Sequence, residues 1–162
     1  MDTMSELTFF FTEANPFSQW YRCAFTVAGN TFNCAEQYMM HGKALLFGDT
    51  ETAAKILAAD HPRTHKALGR KVKPFDDAQW KRERVAIVRA GNHAKFTQNA
   101  ELLAKLLATA GTTLVEASPY DKIWGIGLAA TDARAKDPTQ WKGQNLLGKI
   151  LTELRDQLLA ER

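Results

Sequence analysis

The spacing of hydrophobic residues predicts a chain made mainly of α-helices with a few short strands. Short β-prone segments lie at residues 7–11, 22–27 and 114–118. The turn residues 28–30 favour an antiparallel hairpin after the second of these segments. We therefore predict an α+β fold that is mainly α with a small antiparallel β-sheet. Apolar side chains recur at helical intervals most regularly near the end of the chain, at Leu147, Ile150, Leu151, Leu154 and Leu158.

Capping residues and glycines indicate where the helices begin and end. Asn33 is expected to be the N-cap of a helix that runs to Phe47, because its side chain can accept a bond from a free backbone N–H. Gly69 is expected to end a short helix, and Gly91 to interrupt a later, longer one.

The helix after Asn33 carries two charged residues on one face. At 3.6 residues per turn, one stripe of this helix holds Glu36, Met40, Lys43 and Phe47. The remaining positions are largely apolar, which is typical of a buried helix. Because an unpaired charge is costly to bury, the acid and the amine on this stripe require an explanation.

Each of the two charged residues has a structural and a functional interpretation. Glu36 stands three residues after Asn33, so it fits a capping box in which its side chain bonds the Asn33 N–H. Lys43 can lay its stem on the core and keep its amine in water. In the functional interpretation Glu36 is a catalytic carboxylate in a cleft, and Lys43 loses its proton beside apolar side chains and becomes a nucleophile. The pairing of the two residues favours the functional interpretation.

Length and composition predict a single domain, residues 1–162. The chain has 162 residues, of which 45% are hydrophobic and 24% charged, enough for one sizeable core. Residues 1–6 are polar and acidic, so we expect no signal peptide, and no apolar run is long enough for a membrane span. The two cysteines, Cys23 and Cys34, lack C-x-x-C spacing, which favours reduced thiols and a cytoplasmic location.

Positive charge is concentrated in one segment of the chain. Residues 61–84 contain eight basic and three acidic residues, a net charge of +5, whereas the whole chain carries +3. Such an excess suits a phosphate-bearing ligand or a nucleic acid, and it is also typical of an ordinary solvated face. His61 and His65 have the i, i+4 spacing of a metal site. Because no carboxylate or cysteine motif accompanies them, we predict no bound metal.

Five spaced segments of the chain carry a resemblance to a known family. Together, and in this order, they resemble the NADAR family over essentially the whole chain. The resemblance is specific because five motifs match at once, while residues 50–75 and 128–140 match least. The five segments are PFSQWY (16–21), NCAEQYMMHGKALLFGD (33–49), GNHAKFTQN (91–99), LVEASPYDKIWGIG (114–127) and WKGQNLLG (141–148).

The resemblance implies cleavage of a bond between a sugar and a nitrogen. Members of the family look like N-glycosidases that act on phosphoribosylamino-pyrimidine intermediates of riboflavin synthesis or on ADP-ribosylated guanine. In both substrates an exocyclic amine is attached to ribose C1, so the sugar ring can open to an imine that a neutral amine attacks. The resemblance therefore implies a Schiff base between Lys43 and C1, with Glu36 carrying protons. A lysine normally has a pKa of about 10.4, which must be lowered for this role.

The resemblance also implies further site residues and the partners. Asp121 is expected to act in catalysis, and its structural alternative is a turn cap. The expected substrate-binding residues are Ser18, Trp20, Trp124 and Asn145; for Trp124 the structural alternative is core filling. No cofactor and no obligate protein partner are implied. The expected partner is an ADP-ribosylated guanine nucleotide or nucleic acid, or a phosphoribosylamino-pyrimidine.

Other mechanisms and other classes of function remain open. In a rival enzymatic route water attacks C1, Glu36 is the main acid or base, and Lys43 acts only through its charge. A non-catalytic ADP-ribose reader would use the same site without a nucleophile. A nucleic-acid-binding module rests only on the positive segment, and it predicts binding that weakens steeply with salt.

Overall fold

The computed structural model describes residues 6–162, which divide into two compact units. The first unit comprises residues 6–18 together with Ala100–Arg162, and the second comprises Gln19–Asn99. Residues 1–5, most of the polar and acidic start of the chain, lie outside the described residues. The expectation that this segment is not a signal peptide therefore stays a prediction. The single domain over residues 1–162 stays a prediction.

The described part of the chain is mainly helical, as the hydrophobic pattern predicted. Its six α-helices are Ala35–Leu46 (α1), Thr50–Ala58 (α2), Pro62–Gly69 (α3), Asp77–Thr97 (α4), Ala100–Leu107 (α5) and Leu146–Ala160 (α6). Its four short strands are Glu6–Phe10 (β1), Phe25–Val27 (β2), Asn30–Phe32 (β3) and Thr112–Glu116 (β4). Two short 3-10 helices, Ala133–Lys136 and Pro138–Gln140, precede α6. The predicted fold class, mainly α with a small antiparallel sheet, is confirmed.

The four strands form two separate pairs. Strands β2 and β3 make the predicted antiparallel hairpin, and its two turn residues have positive φ angles of 51° and 83°. These left-handed conformations suit a two-residue turn because they match the right-handed twist of the strands. Strands β1 and β4 instead pair in parallel, in register from Glu6 with Thr112 to Phe10 with Glu116. The sequence pattern did not predict this pair, whose partners are far apart in the chain, as a parallel pair requires.

In the second unit α1 packs against α2, α3 and α4. Glycines permit a close approach between these helices. A Cβ atom at Gly91 of α4 would overlap the ring of Tyr38, and one at Gly69 of α3 would overlap Met40. The expectation that Gly91 interrupts the long helix is therefore wrong. Helix α4 continues to Thr97, and Gly91 provides the space in which Tyr38 packs.

Each unit has its own hydrophobic cluster. In the second unit the rings of Phe25 and Phe32 stack with centroids 5.6 Å apart, and Phe32 meets Tyr38 edge-on at 5.1 Å. In the first unit the buried cluster joins strand β4 to the loops before α6, through Val115, Ala117, Ile126, Leu128 and Ala135.

Among the described residues, no helix combines the length and the apolar character that a membrane span needs.

Asn145 joins the start of α6 to strand β4. Its Oδ1 accepts the N–H of Glu116 at 3.0 Å, and its Nδ2 donates to the carbonyl oxygen of Leu114 at 3.1 Å. The residue is fully buried and has a left-handed φ of 53°. Asparagine fits this position because it tolerates that conformation and supplies both a donor and an acceptor.

We predict that Asn145→Ala destabilises the protein by about 2–4 kcal/mol, because it removes the partner of the half-buried Glu116 N–H and of the buried Leu114 carbonyl group. Asn145→Gly should be about 1 kcal/mol less destabilised than Asn145→Ala, because glycine adopts a positive φ without steric cost. Urea unfolding monitored by circular dichroism measures both values. A loss below about 1 kcal/mol in Asn145→Ala would show that these bonds contribute little.

Candidate active site

Helix α1 begins one residue later than the sequence predicted. Its N-cap is Cys34, which has extended backbone angles and makes no side-chain cap bond. The side chain of Asn33 instead donates to the carbonyl oxygen of Asp60 at 2.9 Å. The first turn is closed from outside the helix, because the N–H of Glu36 donates to the carbonyl oxygen of Gln19 at 2.9 Å.

Gln37, and not Glu36, accepts the bond expected of a capping box. The N–H of Asn33 donates to Oε1 of Gln37 at 2.8 Å. Nε2 of Gln37 donates in turn to the carbonyl oxygen of Ile56 near the end of α2, at 3.0 Å. The capping-box interpretation of Glu36 is therefore wrong. Its side chain is nevertheless buried, since the residue is only 5% exposed.

Glu36 and Lys43 lie on the same face of α1, two turns apart. This spacing separates their Cα atoms by about 10.5 Å along the helix axis. Side chains on an α-helix lean toward its N-terminus, so the long stem of Lys43 leads back toward Glu36. The two groups interact electrostatically, and the negative charge of Glu36 therefore acts to raise the pKa of Lys43.

The amine of Lys43 is surrounded by aromatic rings and is half-buried. Its Nζ lies 4.8 Å from the ring centroid of Phe75 and 5.5 Å from that of Trp80. Burial lowers the pKa of Lys43, the negative charge of Glu36 opposes this effect, and the positive charge of Arg70 adds to it. The net direction is downward, which is the direction that a neutral amine requires.

Two loops of the first unit hold Trp124 in place. Oδ1 of Asp121 accepts the N–H groups of Ile123 and Trp124, each at 2.9 Å. The carbonyl oxygen of Trp124 accepts the N–H of Leu147, in the first turn of α6, at 3.1 Å. A Cβ atom at Gly143 would come within 2.7 Å of the Lys122 Cα atom, so the two loops can pack together only with glycine there. The turn-cap alternative for Asp121 is therefore present, and catalysis by Asp121 stays a prediction.

The remaining predicted site residues differ in their surroundings. Ser18 is buried and its N–H donates to the Asn15 carbonyl oxygen at 3.0 Å. Trp20 is half-buried and meets the ring of His61 edge-on, with centroids 6.2 Å apart. Trp124 is half-buried, and both amide atoms of Asn145 bond strand β4 as described above. Substrate binding by these residues stays a prediction.

The structure brings the predicted site residues together in two groups. Glu36 and Lys43 share one face of α1 in the second unit. Asp121, Trp124 and Asn145 lie in the joined loops of the first unit.

Sequence reasoning missed several residues of the second unit that interact with Glu36 or Lys43. Phe75 and Trp80 enclose the amine of Lys43, and Arg70 acts on its charge. Gln19, whose carbonyl group bonds Glu36, forms a buried side-chain pair with Asn92. Both members of this pair lie in segments that carry the family resemblance, which is the signal that would have singled them out.

The histidines of the positive segment have separate structural roles. Nδ1 of His61 accepts the N–H of Arg63 at 3.0 Å, and Nε2 of His65 lies 2.7 Å from the Ala59 carbonyl oxygen. Within the described range, no group of three or more His, Cys, Asp or Glu residues could hold a metal ion. The basic side chains of the segment are exposed, with the exception of Arg84, which is buried.

Comparisons with known proteins agree with the family resemblance. The NADAR domain model matches residues 8–159. An N-glycosidase of Acanthamoeba polyphaga mimivirus is 45% identical over 146 residues, which cover 87% of this chain and 86% of that protein. The N-glycosidase YbiA of Escherichia coli is 34% identical over 147 residues, which cover 90% of this chain and 82% of that protein. A riboflavin biosynthesis protein of Vibrio vulnificus is 31% identical over 141 residues, 87% of this chain but only 35% of that longer protein.

The similarity extends to the fold. The NMR structure of the Escherichia coli protein YbiA matches this structure with a TM-score of 0.79 and 30% sequence identity. The match covers 99% of this chain and 89% of that one. A family model that spans nearly the whole chain, close relatives and a common fold lead to one conclusion: the chain belongs to the NADAR domain family.

Proposed function

We propose that this protein is an N-glycosidase that hydrolyses the bond between ribose C1 and an exocyclic nitrogen. Its membership of a family whose relatives include named N-glycosidases supports the proposal. The observation that carries it is the face of α1 on which a buried Glu36 and a Lys43 with lowered pKa lie two turns apart. An acid and a neutral amine are the two groups that imine chemistry at C1 requires.

In the proposed mechanism Lys43 is the nucleophile and Glu36 carries protons. Ring opening of the glycosylamine gives an imine at C1, which the neutral Nζ of Lys43 attacks. The bond from C1 to the substrate nitrogen then breaks, and the base leaves as a free amine with a proton donated by Glu36. Water hydrolyses the remaining imine, which restores the Lys43 amine and releases the sugar as an aldehyde. One water molecule is consumed in each turnover.

The proposed substrate is ADP-ribosylated guanine, as a nucleotide or in a nucleic acid, or a phosphoribosylamino-pyrimidine intermediate of riboflavin synthesis. The name of the Vibrio vulnificus relative supports the second substrate, and the exposed positive segment suits the phosphates of both. Trp124 would stack on the base, since stacking on tryptophan is favourable for any base. The proposal includes a cytoplasmic location.

The other predicted residues have smaller parts in the proposal. Ser18 and Trp20 would line the sugar, and Asp121 would accept bonds from sugar hydroxyl groups or polarise water. Asn145 is the weakest of the proposed substrate contacts, because both of its amide atoms already bond the backbone of β4.

We predict that Lys43→Ala lowers kcat/KM by at least about 1,000-fold, because the variant lacks the nucleophile. Borohydride added during turnover should reduce the imine and leave a stable sugar adduct on Lys43 of the wild-type protein. Peptide mass spectrometry locates the adduct, and both substrates should be assayed side by side.

Two controls make this experiment decisive. Lys55→Ala removes an exposed lysine of α2 and should not change turnover. Peptide mapping also separates Lys43 from Lys95, a fully buried lysine whose pKa burial lowers to about 8. An active enzyme without an adduct at Lys43 would contradict the imine route and favour attack by water. Binding of substrate without release of base would favour the non-catalytic reader.

Glu36→Gln should lower kcat about 100- to 10,000-fold, the range expected when a general acid or base is lost. Glutamine keeps the size of the side chain, so the thermal unfolding temperature should stay close to that of the wild type. Glu51→Gln, on the exposed surface of α2, is the matched control. Full turnover in Glu36→Gln would exclude Glu36 as the proton carrier.

The pH dependence of kcat/KM tests the role of the amine. Catalysis needs the neutral form of Lys43, so activity should rise with pH until the pKa of Lys43 is passed. The positive charge of Arg70 favours the neutral form, so Arg70→Gln should raise the pKa of Lys43 and shift the rising limb to higher pH. Arg63→Gln changes an exposed arginine of α3, the helix that ends just before Arg70, and should leave the limb in place. A limb that does not move in Arg70→Gln, or that moves to lower pH, would contradict this assignment.

A further inference from the structure

Gln19 and Asn92 form a buried pair of side-chain amides. Nδ2 of Asn92 donates to Oε1 of Gln19 at 2.9 Å and to the carbonyl oxygen of Val88 at 2.9 Å. Gln19 is 9% exposed and Asn92 is completely buried. The pair thus links the segment before β2 to the interior of α4 through groups that are shielded from water.

The hydrogen bonds determine the orientation of both amides. The Val88 carbonyl oxygen can only accept, so the NH₂ group of Asn92 must face it. The second N–H of that group donates to Gln19, so Gln19 must present its oxygen there. Nε2 of Gln19 and Oδ1 of Asn92 are therefore the two remaining polar atoms of the pair.

These two atoms have no hydrogen-bond partner among the described residues, although both are buried. Leaving such a group unpaired costs about 1–3 kcal/mol. Buried polar groups without a protein partner are uncommon, and each of them needs an explanation such as a bound molecule. Here one atom is a donor and the other an acceptor, and a hydroxyl group both accepts and donates, so its chemistry matches that of the pair. An anion would be repelled by Oδ1 of Asn92, and an ammonium group by the amide hydrogens of Gln19.

The backbone of Gln19 links this pair to the proposed proton carrier. Its carbonyl oxygen accepts the N–H of Glu36 at 2.9 Å, at the first turn of α1. In the proposed function Glu36 acts at ribose C1, and the hydroxyl group nearest to C1 is the one on C2. The inference that follows rests on the proposed function in this respect.

We propose that the Gln19–Asn92 amide pair is a binding site for the 2-hydroxyl group of the substrate's ribose. Gln19 Nε2 donates to the hydroxyl oxygen, and the hydroxyl hydrogen is donated to Asn92 Oδ1. The pair thereby selects ribose over 2-deoxyribose, because a buried amide that loses its partner remains unpaired.

Binding of two sugars to two forms of the protein tests this proposal. Calorimetric titration would compare ribose 5-phosphate with 2-deoxyribose 5-phosphate. For the wild type we expect the Kd of the deoxy sugar to be about 10-fold higher. Gln19→Met should bind ribose 5-phosphate about 10-fold more weakly than the wild type does, and should bind the two sugars within about twofold of each other. Methionine keeps the length of the side chain and leaves the backbone bond to Glu36 intact.

Gln98→Met is the matched control for the loss of a glutamine amide. Both polar ends of Gln98 bond the backbone of Thr26, each at 2.8 Å, so this variant loses an amide that is already paired. It should keep the wild-type preference for ribose. If Gln19→Met does not fold, NMR of the wild type decides, since the side-chain amide signal of Gln19 should shift with ribose 5-phosphate and not with the deoxy sugar.

Three results would overturn the proposal. The first is an equal affinity of the wild type for the two sugars, which would leave the pair with a structural water only. The second is an unchanged preference for ribose in Gln19→Met. The third is the absence of measurable binding of ribose 5-phosphate to the wild type at millimolar concentration. None of these measurements needs turnover. A preference for ribose that depends on Gln19, found in a protein without glycosidase activity, would support this site and contradict the proposed function. Turnover without such a preference would contradict this site alone.

Discussion

The start of α1 is closed by two hydrogen bonds that leave the carboxylate of Glu36 out of the cap. Gln37 accepts the N–H of Asn33, and the carbonyl group of Gln19 accepts the N–H of Glu36. Backbone groups at a helix N-terminus must find partners, and an acid in the first turn is a common choice. A neighbouring glutamine and a distant carbonyl group accept these two N–H groups, and the buried acid Glu36 lies on the face of α1 that it shares with Lys43.

The reactivity proposed for Lys43 depends on packing as much as on charge. The rings of Phe75 and Trp80 lie over the amine and shield it from water. Burial is the largest influence on the pKa of Lys43 and lowers it, and the opposing charge of Glu36 is a smaller one. Burial therefore favours the neutral form of the amine even though Glu36 lies on the same face of α1. Loosening the aromatic residues would affect the chemistry even though neither ring reacts.

Side-chain amides stabilise the irregular parts of both units. Asn145 bonds the backbone of β4, and Gln98 bonds the backbone N–H and carbonyl groups of Thr26. Gln37 links the start of α1 to the end of α2. An amide supplies a donor and an acceptor without a charge, so it can replace a missing backbone partner inside a protein at little electrostatic cost. The pair of Gln19 and Asn92 differs from these residues because its amides are only partly used by the protein, which is why we assign it to a ligand.

Local periodicity in the sequence was sufficient to predict the helices, the β2–β3 hairpin and the face shared by Glu36 and Lys43, because these features depend on residues only a few positions apart. Capping by Gln37, the space for Tyr38 at Gly91 and the parallel pairing of β1 with β4 were decided by the tertiary structure. The last two join residues that are distant in the chain. The first depends on which of two adjacent residues, Glu36 or Gln37, accepts the N–H of Asn33, and local sequence does not decide this. The lowered pKa of Lys43 belongs to the same class, since it comes from burial by side chains of other segments, which no spacing along the chain reveals.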